Sequence, residues 1–282
     1  MESAQTTGRL TLVGTPIGNL SDFSPRAVEA LQACDFIAAE DTRVTLKLLN
    51  HFGISKPLVS YFEHNKRERG EVICARLQAG ENAVLVTDAG MPAISDPGED
   101  LVALCHERGI PVGVVPGPTA MATALAVAGL PTGRFTFEGF LSVNRRSRRE
   151  HLQSLRGEQR TMVFYEAPHK LAATLQDLLD TLGDRPVALV RELTKLHEEV
   201  IRTTLAGAVA RYAPESGHSP RGEYVLVVGG AEKPSAPAMT PEQAAALARE
   251  YMADGMPPSE AAKKAAAEAG CKKGEVYRLL LD

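Results

Sequence analysis

Short apolar runs alternate with segments of helical periodicity over the first 130 residues of the chain. Five runs are typical of strands buried on both faces: residues 9–13, 36–39, 58–62, 84–86 and 110–115. Five further segments are predicted helices: residues 25–33, 45–52, 66–77, 99–105 and 120–128. Ser24 followed by Pro25 is a favoured helix start, and Thr119 can cap the last helix. The alternation predicts a mostly parallel sheet with helices on both faces.

The pattern changes after residue 134, where strands follow one another more closely. They are predicted at residues 135–140, 161–165, 186–190, 198–205 and 222–228, with a helix at 171–182. This spacing favours a mixed or antiparallel sheet. Residues 229–238 have the Gly, Pro, Ser and Ala content of a linker. Three short helices are predicted beyond it, the second capped by Ser259 and ended by Gly270.

The chain of 282 residues is therefore predicted to have two α/β lobes and a small helical appendage. The predicted boundaries are 9–118 for the N-terminal lobe, 119–230 for the C-terminal lobe with its mixed sheet, and 239–282 for a helix-turn-helix-like domain. The appendage carries six basic and seven acidic residues, so a protein-contact module and an RNA reader are equally compatible with it.

Three loops rich in Gly and Pro follow predicted strands, at residues 14–19, 88–92 and 116–120. Glycine allows positive φ and close approach of a ligand to the backbone, while proline fixes φ. In open α/β sheets, ligands bind in such loops beyond the carboxyl ends of the strands. None of the three is a Walker loop or a dinucleotide fingerprint. A plain βα turn capped by Asp96 is the alternative interpretation of the second loop.

Composition narrows the function classes. A 44% hydrophobic content and 23% charged content are those of a globular protein, and the net charge of −4 shows no global nucleic-acid footprint. Four dispersed cysteines favour reduced thiols over zinc or disulfides, so we expect no metal. No apolar run could span a membrane, and the polar segment 1–8 is predicted to be disordered rather than a secretory signal. A cytoplasmic protein is expected.

The three loops resemble those of the tetrapyrrole-methylase-like superfamily, class III methyltransferases that use S-adenosylmethionine. Further sequence motifs at residues 39–43, 164–169 and 191–195 narrow the resemblance to enzymes that methylate a cytidine ribose 2′-hydroxyl in the decoding region of 16S rRNA. The resemblance covers residues 9–230. It implies two α/β lobes with the cofactor in the cleft between them, a homodimer, and 16S rRNA or the 30S subunit as partner.

The resemblance also implies cofactor-binding residues: Pro16, Asp88, Gly90, Ile94, Ser95, Thr119, Ala120, Tyr165, Leu193 and Gly222. Backbone amides in the loops can hold a carboxylate or an adenine edge. The Asp88 carboxylate suits a sulfonium or amino group, although capping a turn is its alternative role.

Methyl transfer is an in-line displacement, and a ribose hydroxyl is a poor nucleophile that a positioned base or charge should help. The preferred catalytic candidates are Glu166, Glu192 and Lys195, within a wider set that includes Glu40, Asp41, His64 and His169. A pair formed by Lys195 and Glu192 could ease proton loss, or it could be a structural salt bridge.

Six arginines and two glutamates between residues 144 and 160 give a local excess of four positive charges on an acidic chain. The candidate RNA-binding residues are Arg145, Arg146, Arg148 and Arg149, together with Arg43. A solvated charged face is the alternative. Two rival functions stay open: a methylase of a small tetrapyrrole, and a non-catalytic RNA-binding or ribosome-assembly module.

Overall fold

The computed structural model describes residues 7–232 and 239–281. The chain divides into two compact units, residues 1–231 and residues 232–282. Most of the predicted linker, and most of the N-terminal segment predicted to be disordered, lie outside the described residues. Gly8 is described, and the prediction is wrong for it: Gly8 is buried and its N–H donates to the Leu77 carbonyl at 2.8 Å.

The first unit begins with a sheet of five parallel strands in the order β3-β2-β4-β1-β5. Its elements in chain order are β1 (Leu10–Val13), α1 (Pro25–Ala33), β2 (Phe36–Ala39), α2 (Thr42–His51), β3 (Leu58–Ser60), α3 (Lys66–Gln78), β4 (Ala83–Val86), α4 (Gly98–Glu107) and β5 (Val112–Val115). Helices α3 and α4 cover one face and α1 and α2 cover the other. Alternate residues of β4 enter the two cores, with Leu85 on one face and Val84 on the other. The predicted parallel sheet is confirmed.

Two predicted helix starts are wrong. Helix α2 begins at Thr42, not Thr45, because the Asp41 carboxylate accepts the Arg43 N–H at 2.8 Å and caps the helix earlier. Thr119 makes no side-chain cap. The Met121 N–H, which a cap would satisfy, donates instead to the Tyr165 hydroxyl at 3.0 Å.

The second sheet of this unit is mixed, in the order β6-β7-β10-β8-β9, with only β6 and β7 parallel. Its elements are α5 (Ala120–Val127), β6 (Phe135–Phe140), α6 (Arg145–Ser154), β7 (Thr161–Glu166), α7 (Leu171–Leu182), β8 (Pro186–Arg191), β9 (Glu199–Thr204), α8 (Leu205–Arg211) and β10 (Tyr224–Val228). Helix α5 packs on one face, and α6, α7 and α8 pack on the other. Sequence analysis missed α8, because seven residues are too few to show helical periodicity.

The second unit is a group of three helices, α9 (Pro241–Ala253), α10 (Pro258–Ala269) and α11 (Lys273–Leu281). Its core is mostly alanine. Thr240 and Gln243 form a capping box, and Gly270 ends α10 with a φ of 68°. The predicted cap at Ser259 is wrong, because α10 begins at Pro258 and Ser259 lies inside it. The Ser259 hydroxyl instead accepts a hydrogen bond from Lys273 Nζ at 2.9 Å. None of the helices in the described ranges is long and apolar enough to cross a membrane.

The three Gly/Pro loops contact one another through their backbones. Thr15 and Gly90 exchange N–H to carbonyl hydrogen bonds at 2.9 and 3.1 Å, which joins the first loop to the second. Gly14 lies against Gly117 so closely that a Cβ on Gly117 would come within 2.8 Å of the Gly14 backbone. The first loop therefore stands between the other two and holds both.

We expect Gly117→Ala to destabilise the fold, because the added methyl group has no space against rigid backbone. Overpacking of this kind costs about 1–3 kcal/mol, measurable by urea denaturation. Gly157→Ala is the matched control, since a Cβ there meets nothing within 4 Å. Equal midpoints for the two variants would show that the loops separate without cost.

Candidate active site

A cleft of about 610 Å³ lies where the three loops meet the second sheet. Eight of the ten predicted cofactor residues line it: Asp88, Gly90, Ile94, Ser95, Thr119, Ala120, Tyr165 and Leu193. The other two, Pro16 and Gly222, are chain neighbours of the lining residues Ile17 and Glu223. The volume is that of a small-molecule site, and the walls combine apolar side chains with several carboxylates.

The second loop is shaped by the half-buried side chain of Asp96. Its carboxylate accepts the N–H groups of Ala93 and Gly98 at 2.9 and 2.8 Å, and that of Ile94 at 3.3 Å. Burial raises the pKa of Asp96, and these hydrogen bonds oppose the rise. The turn-capping role considered for Asp96 is therefore present, and it fixes the loop before any ligand binds.

Backbone strain borders the cleft on both sides. Among the described residues, the non-glycine residues with positive φ are Ala93, Ser95, Glu192 and Thr194, with φ between 52° and 66°. Two belong to the second loop, and two belong to the segment after β8. Strain of this kind persists only where the surroundings determine it, and it concentrates at functional sites. The first loop touches the segment after β8, since a Cβ on Gly18 would lie 2.5 Å from the Lys195 side chain.

One corner of the cleft is acidic. The Thr87 hydroxyl donates to Glu40 Oε2 at 2.5 Å, and the Asp41 N–H donates to Asp88 Oδ1 at 3.1 Å. Partial burial raises the pKa of Asp88, and the nearby Glu40 carboxylate raises it further. Arg43 is turned away to pair with Asp41 at 2.6 Å. Within the described ranges, neither Glu40 nor Asp88 forms an ion pair, so this corner suits a positively charged ligand group.

Tyr165 forms part of the wall opposite the three loops. Its hydroxyl accepts the Met121 N–H, and burial raises its pKa, so the phenol stays neutral. The ring meets Phe137 and Phe140 edge-on, with centroids at 5.0 and 5.4 Å. Tyr165 therefore ties β7 to the start of α5 and anchors an aromatic cluster.

Glu166, a predicted catalytic residue, is buried at the edge of the same cleft. Its carboxylate accepts the Ala167 N–H at 2.9 Å and the Thr174 hydroxyl. The Thr174 oxygen in turn accepts from Arg148 Nη2 at 2.8 Å. Glu166 is therefore held by a polar relay that leads out of the cleft to α6.

Lys195 and Glu192, the other two catalytic candidates, form an ion pair of 2.9 Å, and Lys195 also pairs with Glu223 at 2.9 Å. The hydrogen bond from Lys195 lowers the pKa of Glu192. Burial opposes protonation of Lys195, yet its two carboxylate partners raise its pKa overall. Lys195 is thus a stable ammonium, and the structural salt bridge considered from sequence is present. Neither residue lines the cleft, whereas Glu223 does.

Sequence analysis missed Glu223 as a site residue. Because β10 is antiparallel to β7 and β8, its start lies where those two strands end: Tyr224 is opposite both Glu166 and Arg191. The polar residues before β10 could have been found from this pairing, but only if strand direction were known.

The arginines of α6 do not share one environment. A second cavity of about 620 Å³, which we call the arginine groove, is lined by Leu141, Ser142, Val143, Arg145, Arg148, Arg149, Leu152, Lys170, Ala173, Thr174, Asp177, Asp180 and Thr181. Arg148 is mostly buried and pairs with Asp177 at 2.5 Å. Arg146 points elsewhere and pairs with Glu150 at 2.8 Å. In the described part of the chain, Arg145 and Arg149 are exposed and form no ion pair.

No group of three or more His, Cys, Asp or Glu side chains among the described residues is arranged to hold a metal ion. The four cysteines are free thiols.

Comparison with known families matches residues 9–209 to the family described as Tetrapyrrole (Corrin/Porphyrin) Methylases. The chain belongs to this family. A Synechocystis protein named Ribosomal RNA small subunit methyltransferase I is 49% identical over 276 residues, 98% of each chain. The protein of that name from Escherichia coli O157:H7 is 44% identical over 98% of this chain and 95% of its own. That from Thermotoga maritima is 46% identical over 80% of this chain and 100% of its own.

Solved structures of the same fold include a uroporphyrin-III-C-methyltransferase from Thermus thermophilus, with a TM-score of 0.55, 21% identity and coverage of 79% of this chain and 94% of that one. Diphthine synthase matches with a TM-score of 0.58 at 14% identity, over 79% of this chain and 90% of that one. At such identities the likeness shows the fold alone. The fold class and the family resemblance predicted from sequence are confirmed.

We expect Asp88→Asn to raise stability and weaken binding of the predicted cofactor. Folding raises the pKa of Asp88, so its charge costs stability at neutral pH, and the asparagine should remove that cost. The stability gain should shrink as pH falls through the raised pKa towards the ordinary value of 3.8. Affinity for S-adenosylmethionine should fall about 10- to 100-fold, as for a lost hydrogen bond to a charged group.

Calorimetry and thermal unfolding measure the two effects. The exposed Asp22 provides the control variant Asp22→Asn. A larger loss for S-adenosylmethionine than for S-adenosylhomocysteine would place Asp88 near the sulfonium, and unchanged affinity for both would remove Asp88 from the cofactor site.

Proposed function

We propose that this protein transfers a methyl group from S-adenosylmethionine to the 2′-hydroxyl of a cytidine ribose in the decoding region of 16S rRNA. Methylation of small-subunit rRNA, with S-adenosylmethionine as the methyl donor, is supported by the family and by the relatives at 44–49% identity. The acceptor, a cytidine ribose hydroxyl in the decoding region, is proposed from the family resemblance. One structural observation supports an RNA substrate: a cofactor-sized cleft and an arginine groove adjoin, joined by the chain from Phe140 to Arg145.

The cleft fits the cofactor in volume and in chemistry. We assign cofactor contacts to Pro16, Asp88, Gly90, Ile94, Ser95, Thr119, Ala120, Tyr165, Leu193 and Gly222. The acidic corner suits the amino group or the sulfonium, and the apolar wall suits the adenine. Gly90 contributes by conformation: its φ is 89°, whereas a Cβ would meet nothing closer than 3.6 Å. Bound S-adenosylmethionine supplies an electrophilic methyl group.

In this proposal the protein acts mainly by orienting the ribose hydroxyl and excluding water. Lys195 and Glu192 are poor bases. Their pairing raises the pKa of Lys195, which therefore keeps its proton, and lowers the pKa of Glu192, which therefore binds a proton weakly. Lys195 does not line the cleft and is paired with two carboxylates, so it acts instead as a positioning residue that fixes Glu223 in the cleft wall. Glu223, which lines the cleft, accepts a hydrogen bond from the ribose hydroxyl and takes its proton as the methyl group is transferred. Glu166 holds the wall in place.

RNA binds along the arginine groove in this proposal. Arg145 and Arg149 make the phosphate contacts, because neither is committed to a carboxylate. The exposed pairs of Arg146 with Glu150 and of Arg43 with Asp41 can be exchanged for phosphate at little cost, since surface ion pairs are weak. Arg148, itself mostly buried, keeps its bonds to Asp177 and Thr174 and acts as a structural anchor.

The rival functions find less support in the site. A tetrapyrrole methylase is less well supported, because the relatives at 44–49% identity are named for methylation of small-subunit ribosomal RNA. A non-catalytic module has no need of two strained loops and an acidic corner at the cofactor position. We further propose a homodimer in the cytoplasm. The uncovered edge strand β5, where Val114 is 54% exposed, provides a surface on which a second copy can pack.

Purified protein should transfer a labelled methyl group to 30S subunits, and the product should resist alkaline cleavage at one cytidine. Alkaline cleavage needs a free 2′-hydroxyl, so resistance identifies the ribose oxygen as acceptor. A 30S subunit carrying 2′-deoxycytidine at that position should accept no label. Transfer to the deoxy substrate at the normal rate would mean that the base is methylated.

Replacement of Arg145 and Arg149 by Gln should weaken binding to 30S subunits. Each lost phosphate contact should reduce the slope of log affinity against log salt by about one. Arg156→Gln is the matched control, because Arg156 is exposed in the turn after α6 and does not line the groove. If the double variant and the control have equal slopes, the groove does not carry the RNA. Cofactor affinity should be the same in all three proteins.

A further inference from the structure

Phe140 is an exposed aromatic side chain at the end of β6. Its relative exposure is 62%, although it lines the cleft. Tyr165 contacts it edge-on at 5.4 Å with an angle of 63° between the rings, and Tyr165 is itself fixed by its hydrogen bond to Met121. One side of the Phe140 ring is therefore supported by a rigid neighbour while much of the rest is open.

The chain leads directly from Phe140 into the arginine groove. Leu141, Ser142 and Val143 line that groove, followed by Arg145 at the start of α6. Asn144 fixes this path, because its side chain accepts the N–H groups of Arg146 and Ser147 at 3.0 and 3.1 Å. An aromatic ring in the cleft thus lies five residues before the exposed Arg145 and nine before the exposed Arg149 on one ordered segment.

This juxtaposition matches the two parts of a nucleotide. Phosphates pair with arginine, and unstacked bases pack against aromatic rings, which is how proteins hold single-stranded RNA. A nucleotide that enters a cleft of this kind gives up stacking on its neighbours, and an aromatic ring in the cleft can replace it. An isolated apolar pocket would not explain the adjoining positive charge.

We infer that Phe140 is the stacking platform for the base of the nucleotide that is methylated, with the phosphate of the same strand held at Arg145 and Arg149. Phe140 is then a positioning residue: it holds the base so that the ribose hydroxyl faces the methyl donor. The inference rests on the proposed function and adds the residue that selects an unstacked nucleotide.

The test compares Phe140→Leu, Phe140→Ala and Phe140→Tyr with the wild type in methyl transfer to 30S subunits. Base–aromatic stacking predicts a fall in kcat/KM of about 5- to 100-fold for Ala. Leu should lose nearly as much, because it keeps apolar volume but has no π-face. Tyr should restore most of the loss. Phe135→Leu, on the same strand but outside the cleft, is the matched control and should behave as wild type.

Two further measurements separate this role from others. S-adenosylhomocysteine affinity without RNA should be unchanged in every Phe140 variant, and a loss there would show that the ring contacts the cofactor instead. Sedimentation should be unchanged too, and dissociation of a dimer would show that a second copy covers Phe140. Either result overturns the inference.

The inference and the proposed function fail in different ways. A wild type that transfers no methyl group to 30S subunits overturns both. If the wild type is active and the Phe140→Leu variant has the same kcat/KM, only the stacking role is overturned.

Discussion

Backbone contact between the Gly/Pro loops is the constraint on which the site depends. The first loop exchanges two hydrogen bonds with the second through Thr15 and Gly90, and it touches the third through Gly14 and Gly117. These contacts have no side-chain intermediates that could adjust. The carboxyl ends of β1, β4 and β5 are therefore locked at one spacing, and the floor of the cleft exists before a ligand arrives.

The wall of the cleft opposite the loops is formed by the ends of strands in the mixed sheet. Here the antiparallel start of β10 is placed beside the ends of β7 and β8, so that Glu223, Glu166 and Arg191 come to one edge of the sheet. Strained residues Glu192 and Thr194 turn the chain back over the cleft, and the Lys195 ion pairs hold that turn. One side of the cleft is therefore formed by rigid backbone and the other by charged side chains.

Sequence analysis predicted the parallel sheet well, because strands buried on both faces leave uninterrupted apolar runs. The mixed sheet was predicted only in outline, since strand direction leaves no mark in residue order; Glu223 was missed for that reason. Helix α8 was too short for periodicity to show. The cap at Thr119 failed because the Tyr165 hydroxyl, 44 residues away, satisfies the Met121 N–H. Eight of the ten cofactor residues implied by the family resemblance line the cleft, because the loops that carry them follow strands whose ends meet there.

The arginines of α6 should differ in how well they tolerate substitution, because the guanidinium of Arg148 is mostly buried. Its Nε bonds Asp177 and its Nη2 bonds Thr174, so it uses two donors of a planar fork in different directions. Lysine has one ammonium and cannot reproduce that geometry, whereas at Arg145 or Arg149 a lysine still offers a positive charge to a phosphate. Arg148 therefore needs the shape of an arginine side chain, whereas the phosphate contacts proposed for Arg145 and Arg149 need only its charge.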